Sequence, residues 1–155
     1  MNSIIYFFAV YTIYIIPIVL VVYIINHDNR KLAYREMLVI LLSGVTSYII
    51  SFFLKVYINI PRPDLTLALF VPTDNYSFPS GHTAFIIGIA TAMYMYHPKL
   101  STITFLLGLL VGFARVLAGV HTYIDIAGGI FVGMLVGHII RVIIEECFRG
   151  KHKKA

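Results

Sequence analysis

The stretch from Gly112 to Asp125, GFARVLAGVHTYID, carries polar groups that could do chemistry between two long apolar runs. It contains Arg115, then His121 six residues later, then Asp125 four residues after that. If residues 121–125 are helical, the i, i+4 spacing puts His121 and Asp125 on one face. An aspartate there can accept a hydrogen bond from one imidazole nitrogen and leave the other free as a nucleophile or base. A buried His–Asp pair beside a snorkelling arginine would explain the same residues, so this stretch alone leaves both interpretations open.

The composition indicates a membrane protein. Hydrophobic residues make up 59% of the 155-residue chain and charged residues 12%, with a mean hydropathy of +0.88. Soluble domains average about 45–50% apolar and about 25% charged residues. A charge facing lipid in mid-membrane costs roughly 2.5–3.5 kcal/mol, so the polar residues above need a pocket lined by protein. The single cysteine, Cys147, excludes an intrachain disulfide.

We predict an all-α fold: a polytopic membrane helix bundle of about five transmembrane helices, forming one domain over residues 1–155. The predicted spans cover residues 3–25, 37–57, 81–97, 100–118 and 122–144, followed by a basic tail at 145–155. The first run lacks the features of a cleaved signal peptide, and we expect it to be retained with a kink or one loosened turn at Pro17. Glycines at four-residue spacing allow close helix packing: Gly108 and Gly112, and Gly129, Gly133 and Gly137.

The basic residues predict an orientation. If the polar loop 26–36, the turn at Pro98 and the tail are cytoplasmic, nine of the 12 Lys and Arg residues lie inside, as the positive-inside rule expects. The other three, Lys55, Arg62 and Arg115, lie on the opposite side with His121. We expect an integral protein of a bacterial inner (plasma) membrane, with a polar pocket facing the periplasm or outside and a cytoplasmic C-terminus. The net charge of +5 therefore reflects topology, and we expect no nucleic-acid partner.

Two further segments carry polar residues at helix ends. Lys55 ends the second span, and Arg62 lies between two prolines, which favour extended backbone. Alone, they could be a snorkelling lysine and a proline-rich turn. The sequence PSGH, with Ser80, Gly81 and His82, opens the third span, where free N–H groups of a helix N-terminus form an anion site. A helix cap with an incidental histidine is the alternative.

Together the three segments supply three cations, a helix N-terminus and two histidines. Three cations suit a phosphate better than a metal ion. One histidine could attack phosphorus while the other protonates the leaving oxygen. We therefore expect neither a metal ion nor a cofactor in this site.

The patterns K-x6-RP, PSGH and R-x5-H-x3-D, in this order over residues 55–125, resemble the three signature motifs of the type 2 phosphatidic acid phosphatase (PAP2) superfamily. Vanadium haloperoxidases and class A acid phosphatases are relatives of that family. The resemblance implies that His121 is the nucleophile and forms a phosphohistidine, that Asp125 orients it, and that His82 is the general acid. It also implies that the phosphate is bound by five residues: Lys55, Arg62, Ser80, Gly81 and Arg115.

The sequence departs from the family pattern in two ways. The third motif usually starts Ser-Arg, whereas this chain has Ala114 before Arg115. Membrane enzymes of the family often have six spans, and we predict five. Between the first two motifs, the apolar segment Leu65–Val71 should either lie on the membrane surface or fold over the site.

We expect a metal-independent lipid phosphate phosphatase, because a site buried in the membrane favours a lipid substrate. The resemblance implies undecaprenyl diphosphate, phosphatidylglycerophosphate, phosphatidate or the 1-phosphate of lipid A, and we favour undecaprenyl diphosphate or another envelope lipid phosphate. One alternative is a phosphotransferase that passes the phosphoryl group from His121 to a second lipid or sugar. Another is a non-enzymatic anion or lipid carrier with a cationic vestibule. The sequence leaves the oligomeric state open.

Overall fold

The computed structural model describes residues 2–26 and 30–152, and within them the chain is a helix bundle. Its α-helices, in chain order, are α1 (Asn2–Val10), α2 (Thr12–Ile25), α3 (Arg30–Ile58), α4 (Gly81–Met93), α5 (Pro98–Leu117) and α6 (Tyr123–His152). One turn of 3₁₀ helix, Leu65–Leu67, lies in the long connection between α3 and α4. This architecture confirms the predicted all-α class.

The bundle is that of an integral membrane protein. Among the described residues, three segments are long and apolar enough to cross a membrane: Ala33–Ile58, Pro98–Leu117 and Tyr123–Phe148. The broken pair α1–α2 makes a fourth if it is counted as one span. Large apolar side chains such as Phe53, Leu106 and Phe131 are exposed on the outside of the bundle, as expected where lipid covers the surface.

Helix α4 is the centre of the bundle and packs against α3, α5 and α6. It has 13 residues, which at 1.5 Å per residue is about 20 Å and shorter than the hydrocarbon core of a bilayer, about 30 Å. Nearly all of its side chains are buried, including Ile86, Ile87 and Ile89. Because neighbouring helices surround it, α4 can be short without exposing its ends to lipid.

The glycines of α6 bring its backbone against α4. A Cβ atom added at Gly129, Gly133 or Gly137 would lie 2.6–2.7 Å from a carbonyl oxygen of the α4 segment. The facing carbonyls are those of Ser80, Ala84 and Gly88. This contact confirms the packing role predicted for the four-residue glycine spacing.

The N-terminal span differs from the prediction. It is broken at Tyr11, between α1 and α2, with a bend of 58°, whereas Pro17 lies inside α2. At the break, the carbonyl oxygen of Ala9 accepts a hydrogen bond from Arg115 Nη1 at 2.8 Å. The bend therefore follows from a tertiary contact, and the proline is accommodated within a helix.

Three helix boundaries differ from those of the predicted spans. Helix α3 starts at Arg30, inside the predicted polar loop 26–36, α4 ends at Met93 and not at residue 97, and α6 continues to His152 beyond residue 144. Hydropathy measures the thickness of the apolar layer, whereas α3 and α6 extend past it with polar residues; α4 ends early, at a turn over residues 94–96. Residues 27–29 and 153–155 lie outside the described part of the chain, together with the cytoplasmic positions predicted for Lys153 and Lys154.

The connection 59–80 folds back over one end of the bundle. Asn59 ends α3 with a left-handed φ of 60°, a conformation that commonly terminates helices. The 3₁₀ turn and the residues after it, up to Phe70, pack against Ala9 and Val120. Phe70 and Val71 line the polar pocket, so the end of this apolar segment folds over it.

Candidate active site

Five of the predicted phosphate-binding and catalytic residues line one cavity of about 240 Å³ at this end of the bundle: Lys55, Arg62, Gly81, His82 and Arg115. They come from the end of α3, the connection 59–80, the start of α4 and the end of α5. Aromatic side chains form much of the remaining wall: Tyr6, Tyr14, Tyr48, Phe52 and Phe70. The cavity wall therefore combines cationic and aromatic side chains.

His121 and Asp125 meet through a helix cap. Helix α6 begins at Tyr123, so residues 121–125 are not all helical and the condition for a shared helix face is not met. Asp125 Oδ2 instead reaches back to accept the N–H of Thr122 at 2.7 Å, while Asp125 N lies 3.4 Å from Thr122 Oγ1. This reciprocal arrangement is a capping box. The same Oδ2 lies 3.3 Å from His121 Nδ1.

Asp125 is held for this contact by a second support. Its Oδ1 accepts a hydrogen bond at 3.2 Å from the hydroxyl of Ser77, and both side chains are almost fully buried. With the carboxylate on Nδ1, the lone pair of His121 Nε2 lies on the opposite edge of the ring, toward Arg62. Sequence analysis missed Ser77, which carries no motif signal because its contact depends on how the connection folds.

His121 is neutral at physiological pH. Burial lowers its pKa, the contact with Asp125 opposes that shift, and the three nearby cations lower it further, to about 4. Its position is set by Gly119, whose φ of +74° ends α5 in the left-handed region that favours glycine. A neutral imidazole with Nδ1 tied to a carboxylate has the form that a nucleophile or base requires.

Arg62 lies beside the free edge of His121. Its Nη1 is 3.4 Å from His121 Nε2 and donates to the carbonyl of Val120 at 2.6 Å. Its Nε donates to the main-chain carbonyl of Asp74 at 2.9 Å, and its Nη2 forms an ion pair with the Asp74 carboxylate. Lys55 Nζ donates to the other oxygen of that carboxylate at 2.8 Å. Asp74 was also missed by sequence analysis, since no pattern in 59–80 distinguishes it from Asp64.

Arg115 is buried on the far side of the cavity, with only 4% of its surface exposed. Besides the bond to Ala9, its guanidinium lies 5.7 Å from the centre of the Phe70 ring, within the range of a cation–π contact. The N-terminal helix and the connection 59–80 therefore both hold this cation in place.

The start of α4 forms the remaining wall. Ser80 is the N-cap, and its side chain makes no capping hydrogen bond, so amide N–H groups of the first turn are available to an anion. The Ser80 hydroxyl accepts from Thr83 Oγ1 at 3.0 Å, and its N–H donates to the carbonyl of Asp125. Ser80 is fully buried behind the cavity, and its contact with phosphate stays a prediction. The His82 ring packs edge-on to Tyr48 with 6.4 Å between centroids.

The donor set favours an oxyanion over a metal ion. Three cationic side chains converge on the cavity, and the described residues contain no group of three or more His, Cys, Asp and Glu side chains placed to hold a metal. Cations and helix-terminal N–H groups bind the oxygens of a phosphoryl group. The His82 imidazole lies on the cavity wall, and the His121 imidazole lies behind it with Nε2 3.4 Å from Arg62 Nη1.

Comparison with known proteins agrees with this chemistry. A family model described as "PAP2 superfamily" matches residues 36–149. The chain is 28% identical over 138 residues to the bacitracin transport permease protein BcrC of Bacillus licheniformis, covering 87% of this chain and 68% of that protein. It is also 28% identical over 117 residues to undecaprenyl-diphosphatase BcrC of Bacillus subtilis (strain 168), covering 74% of this chain and 58% of that protein.

Two solved structures share the fold. One is a transmembrane PAP2-type phosphatidylglycerolphosphate phosphatase from Bacillus subtilis, with a TM-score of 0.66 and 26% identity, covering 94% of this chain and 75% of that one. The other is LpxE of Aquifex aeolicus, with a TM-score of 0.67 and 28% identity, covering 90% of this chain and 84% of that one.

Proposed function

This chain belongs to the PAP2 superfamily and is an integral membrane phosphatase, and we propose that it removes the terminal phosphate of an envelope lipid through a phosphohistidine on His121. The observation that carries the proposal is the placement of the His121 ring. Nδ1 is held 3.3 Å from Asp125, and Nε2 lies 3.4 Å from Arg62 Nη1. An oxyanion bound to Arg62 would place its phosphorus next to the Nε2 lone pair.

The reaction runs in two steps. In the first, His121 Nε2 forms a bond to phosphorus, the bond to the leaving lipid oxygen breaks, and His82 gives that oxygen a proton. In the second, His82 takes a proton from water as the water oxygen attacks phosphorus, the P–N bond breaks and inorganic phosphate leaves. Throughout, Lys55, Arg62 and Arg115 stabilise the charge on the phosphoryl oxygens.

We propose a lipid diphosphate, with undecaprenyl diphosphate the favoured substrate. The cavity at this end of the membrane bundle is lined by cationic and aromatic side chains, which suits a phosphate carried on an apolar chain. A relative named as an undecaprenyl-diphosphatase supports this choice. The similarity to the phosphatidylglycerolphosphate phosphatase structure supports phosphatidylglycerophosphate as the main alternative substrate.

Phosphate release from a panel of purified lipids in detergent, with EDTA present, tests both substrate and mechanism. Undecaprenyl diphosphate should be hydrolysed fastest, orthovanadate should inhibit, and rapid quench with ³²P-labelled substrate should give acid-labile, base-stable label on the protein. Loss of activity in EDTA that Mg²⁺ restores would refute the mechanism. Turnover that requires an added lipid or sugar acceptor would instead identify a phosphotransferase.

We also propose that the site faces the outside of the plasma membrane. At the opposite end of the bundle, Arg35 lies 3.8 Å from Glu145 and Glu36 is paired with His97, so Arg35, one of the basic residues predicted to be cytoplasmic, lies at that end. Single cysteines at Asn75 and Lys99, both exposed, can be compared in a Cys147→Ser background. An impermeant thiol reagent on intact cells should label position 75 only, and labelling at 99 only would reverse the orientation.

A further inference from the structure

Asp74 contacts two of the three cations of the site, although it belongs to none of the sequence motifs. Its Oδ2 accepts a hydrogen bond from Lys55 Nζ at 2.8 Å, and its Oδ1 is ion-paired with Arg62 Nη2. Its main-chain carbonyl accepts a second bond from Arg62, from Nε at 2.9 Å. One residue therefore holds the Arg62 guanidinium at two of its three nitrogens.

These contacts fix the direction of the Arg62 fork. The guanidinium is planar and has five N–H groups, so bonds at Nε and Nη2 set its plane, and the bond from Nη1 to Val120 sets its third corner. Three N–H groups are used in this way. Nη1 also contacts His121 Nε2 at 3.4 Å, and the remaining N–H of Nη2 can reach a phosphoryl oxygen.

The main chain keeps Asp74 opposite Arg62. Ser77 N donates to the carbonyl of Ile60 at 2.9 Å, and Pro61 pairs with Tyr76 in an antiparallel bridge. Moving the main chain of Asp74 would open this pairing and its bond to Arg62 Nε, and rotating the carboxylate away would break its bonds to both Lys55 and Arg62. The geometry therefore favours a fixed support over a carboxylate that an incoming phosphate displaces.

Asp74 carries a negative charge in this setting. Burial alone would raise its pKa, but hydrogen bonds from Lys55 and Arg62 outweigh that effect and lower it. Its side chain is 34% exposed, so it borders the cavity without being sealed inside. A carboxylate between two cations offsets their mutual repulsion and keeps both at the cavity wall.

We propose that Asp74 is a positioning residue of the phosphatase site: it orients Arg62 toward the phosphoryl group that His121 attacks and holds Lys55 beside it. This inference rests on the proposed phosphate-binding role of Arg62 and Lys55. Asp74 acts through these two cations and does not itself touch the phosphoryl group.

The first test compares Asp74→Ala and Asp74→Asn with Asp64→Asn as the matched control. Asp64 is an exposed carboxylate of the same connection that accepts a bond from Thr66 N at 3.0 Å. Asp74→Ala should lower kcat about 10–100-fold, since small misplacement of a catalytic group has that effect, and should change KM less than about threefold. Asp74→Asn keeps an oxygen for Arg62 and should lose less, whereas Asp64→Asn should match wild type. An unchanged kcat in Asp74→Ala would overturn the proposal. If the alanine variant does not fold, the kcat of Asp74→Asn is compared with that of Asp64→Asn instead.

A double-mutant cycle separates positioning from loop stability. If Asp74 acts through Arg62, Asp74→Ala should cost much less in an Arg62→Ala background than in wild type, because contacting residues are non-additive. A merely structural role would lower activity by the same factor in both backgrounds. Equal factors would therefore refute the role proposed for Asp74.

Orthovanadate binding, followed by thermal shift and calorimetry, gives a readout that needs no turnover. Asp74→Ala should bind orthovanadate several-fold more weakly than wild type, because the Arg62 guanidinium is no longer held toward the bound oxyanion. Tighter binding would show that the carboxylate competes with the oxyanion, and would overturn the positioning role. A wild type that binds orthovanadate but releases phosphate from no lipid would refute the proposed function, while this comparison still decides the role of Asp74.

Discussion

The Asp125→Asn substitution tests whether a carboxylate stabilises positive charge on His121. Asp125 accepts hydrogen bonds from Thr122 N and Ser77 Oγ and lies 3.3 Å from His121 Nδ1. The imidazole gains positive charge as Nε2 bonds to phosphorus, so the carboxylate should stabilise the transition state and the phosphohistidine. Asparagine keeps the shape and can keep an oxygen toward Nδ1, but it has no charge.

The expected loss follows from the distance. Two unit charges 3.3 Å apart attract by about 5 kcal/mol at an effective dielectric constant of about 20. Both charges are spread over several atoms and the amide dipole replaces part of the attraction, so we expect a loss of about 4 kcal/mol, or about 10³-fold in kcat/KM. Because Asp125 raises the pKa of His121, the acid limb of the kcat/KM profile, expected near pH 4 in wild type, should move to lower pH in the variant.

Initial rates of phosphate release from the lipid diphosphate, measured across the acid range, check both parts of this prediction. Asp64→Asn provides the control, since it removes an exposed carboxylate outside the site. An Asp125→Asn variant within about threefold of wild type would refute charge stabilisation of His121. An acid limb that moves to higher pH would refute the assigned contact.

Three further predictions concern other parts of the molecule. His82→Ala should lower kcat/KM for an alkyl or prenyl monophosphate by about 10²–10⁴-fold, because its leaving alkoxide is strongly basic and needs a proton, and that for nitrophenyl phosphate much less, because the phenolate is weakly basic; His121→Ala should abolish the ³²P-labelled protein with both. Arg62→Lys should cost roughly 2 kcal/mol, about 30-fold in kcat/KM, since lysine keeps the charge but loses the fork. Gly129→Ala should lower the thermal midpoint in detergent by a destabilisation of about 1–3 kcal/mol, because its Cβ would lie 2.6 Å from the Ser80 carbonyl.

Two of these three predictions have a matched control variant. Arg141→Lys changes an arginine at the other end of the bundle, where it contacts His138 at 3.2 Å, and should leave hydrolysis unchanged. Ala127→Ser, on an exposed position of α6, should leave the thermal midpoint unchanged. Equal slowing of both esters by His82→Ala, full activity of Arg62→Lys or an unchanged midpoint for Gly129→Ala would contradict the respective prediction.

The sequence by itself determined the membrane bundle and the positions of the polar side chains at helix ends. Long uncharged runs allow only helices in a bilayer, because their backbone groups must bond internally. In the predicted orientation, Lys55, Arg62 and Arg115 lie on the side where the positive-inside rule expects few cations, and this indicated a binding site for an anion. Four-residue glycine spacing in α6 likewise has one physical use, close approach to another helix, and the structure shows it against α4.

Only the tertiary structure decided what holds these side chains. The contact of Arg115 with the break at Tyr11 and the support of Arg62 by Asp74 depend on groups that meet across long stretches of sequence. The capping box that brings Asp125 to His121 is local, but its second support, from Ser77, is not. A local pattern records which faces are apolar and where polar residues cluster. It does not record which free carbonyl or carboxylate a buried guanidinium will find, because that partner is chosen when the connection 59–80 folds over the bundle.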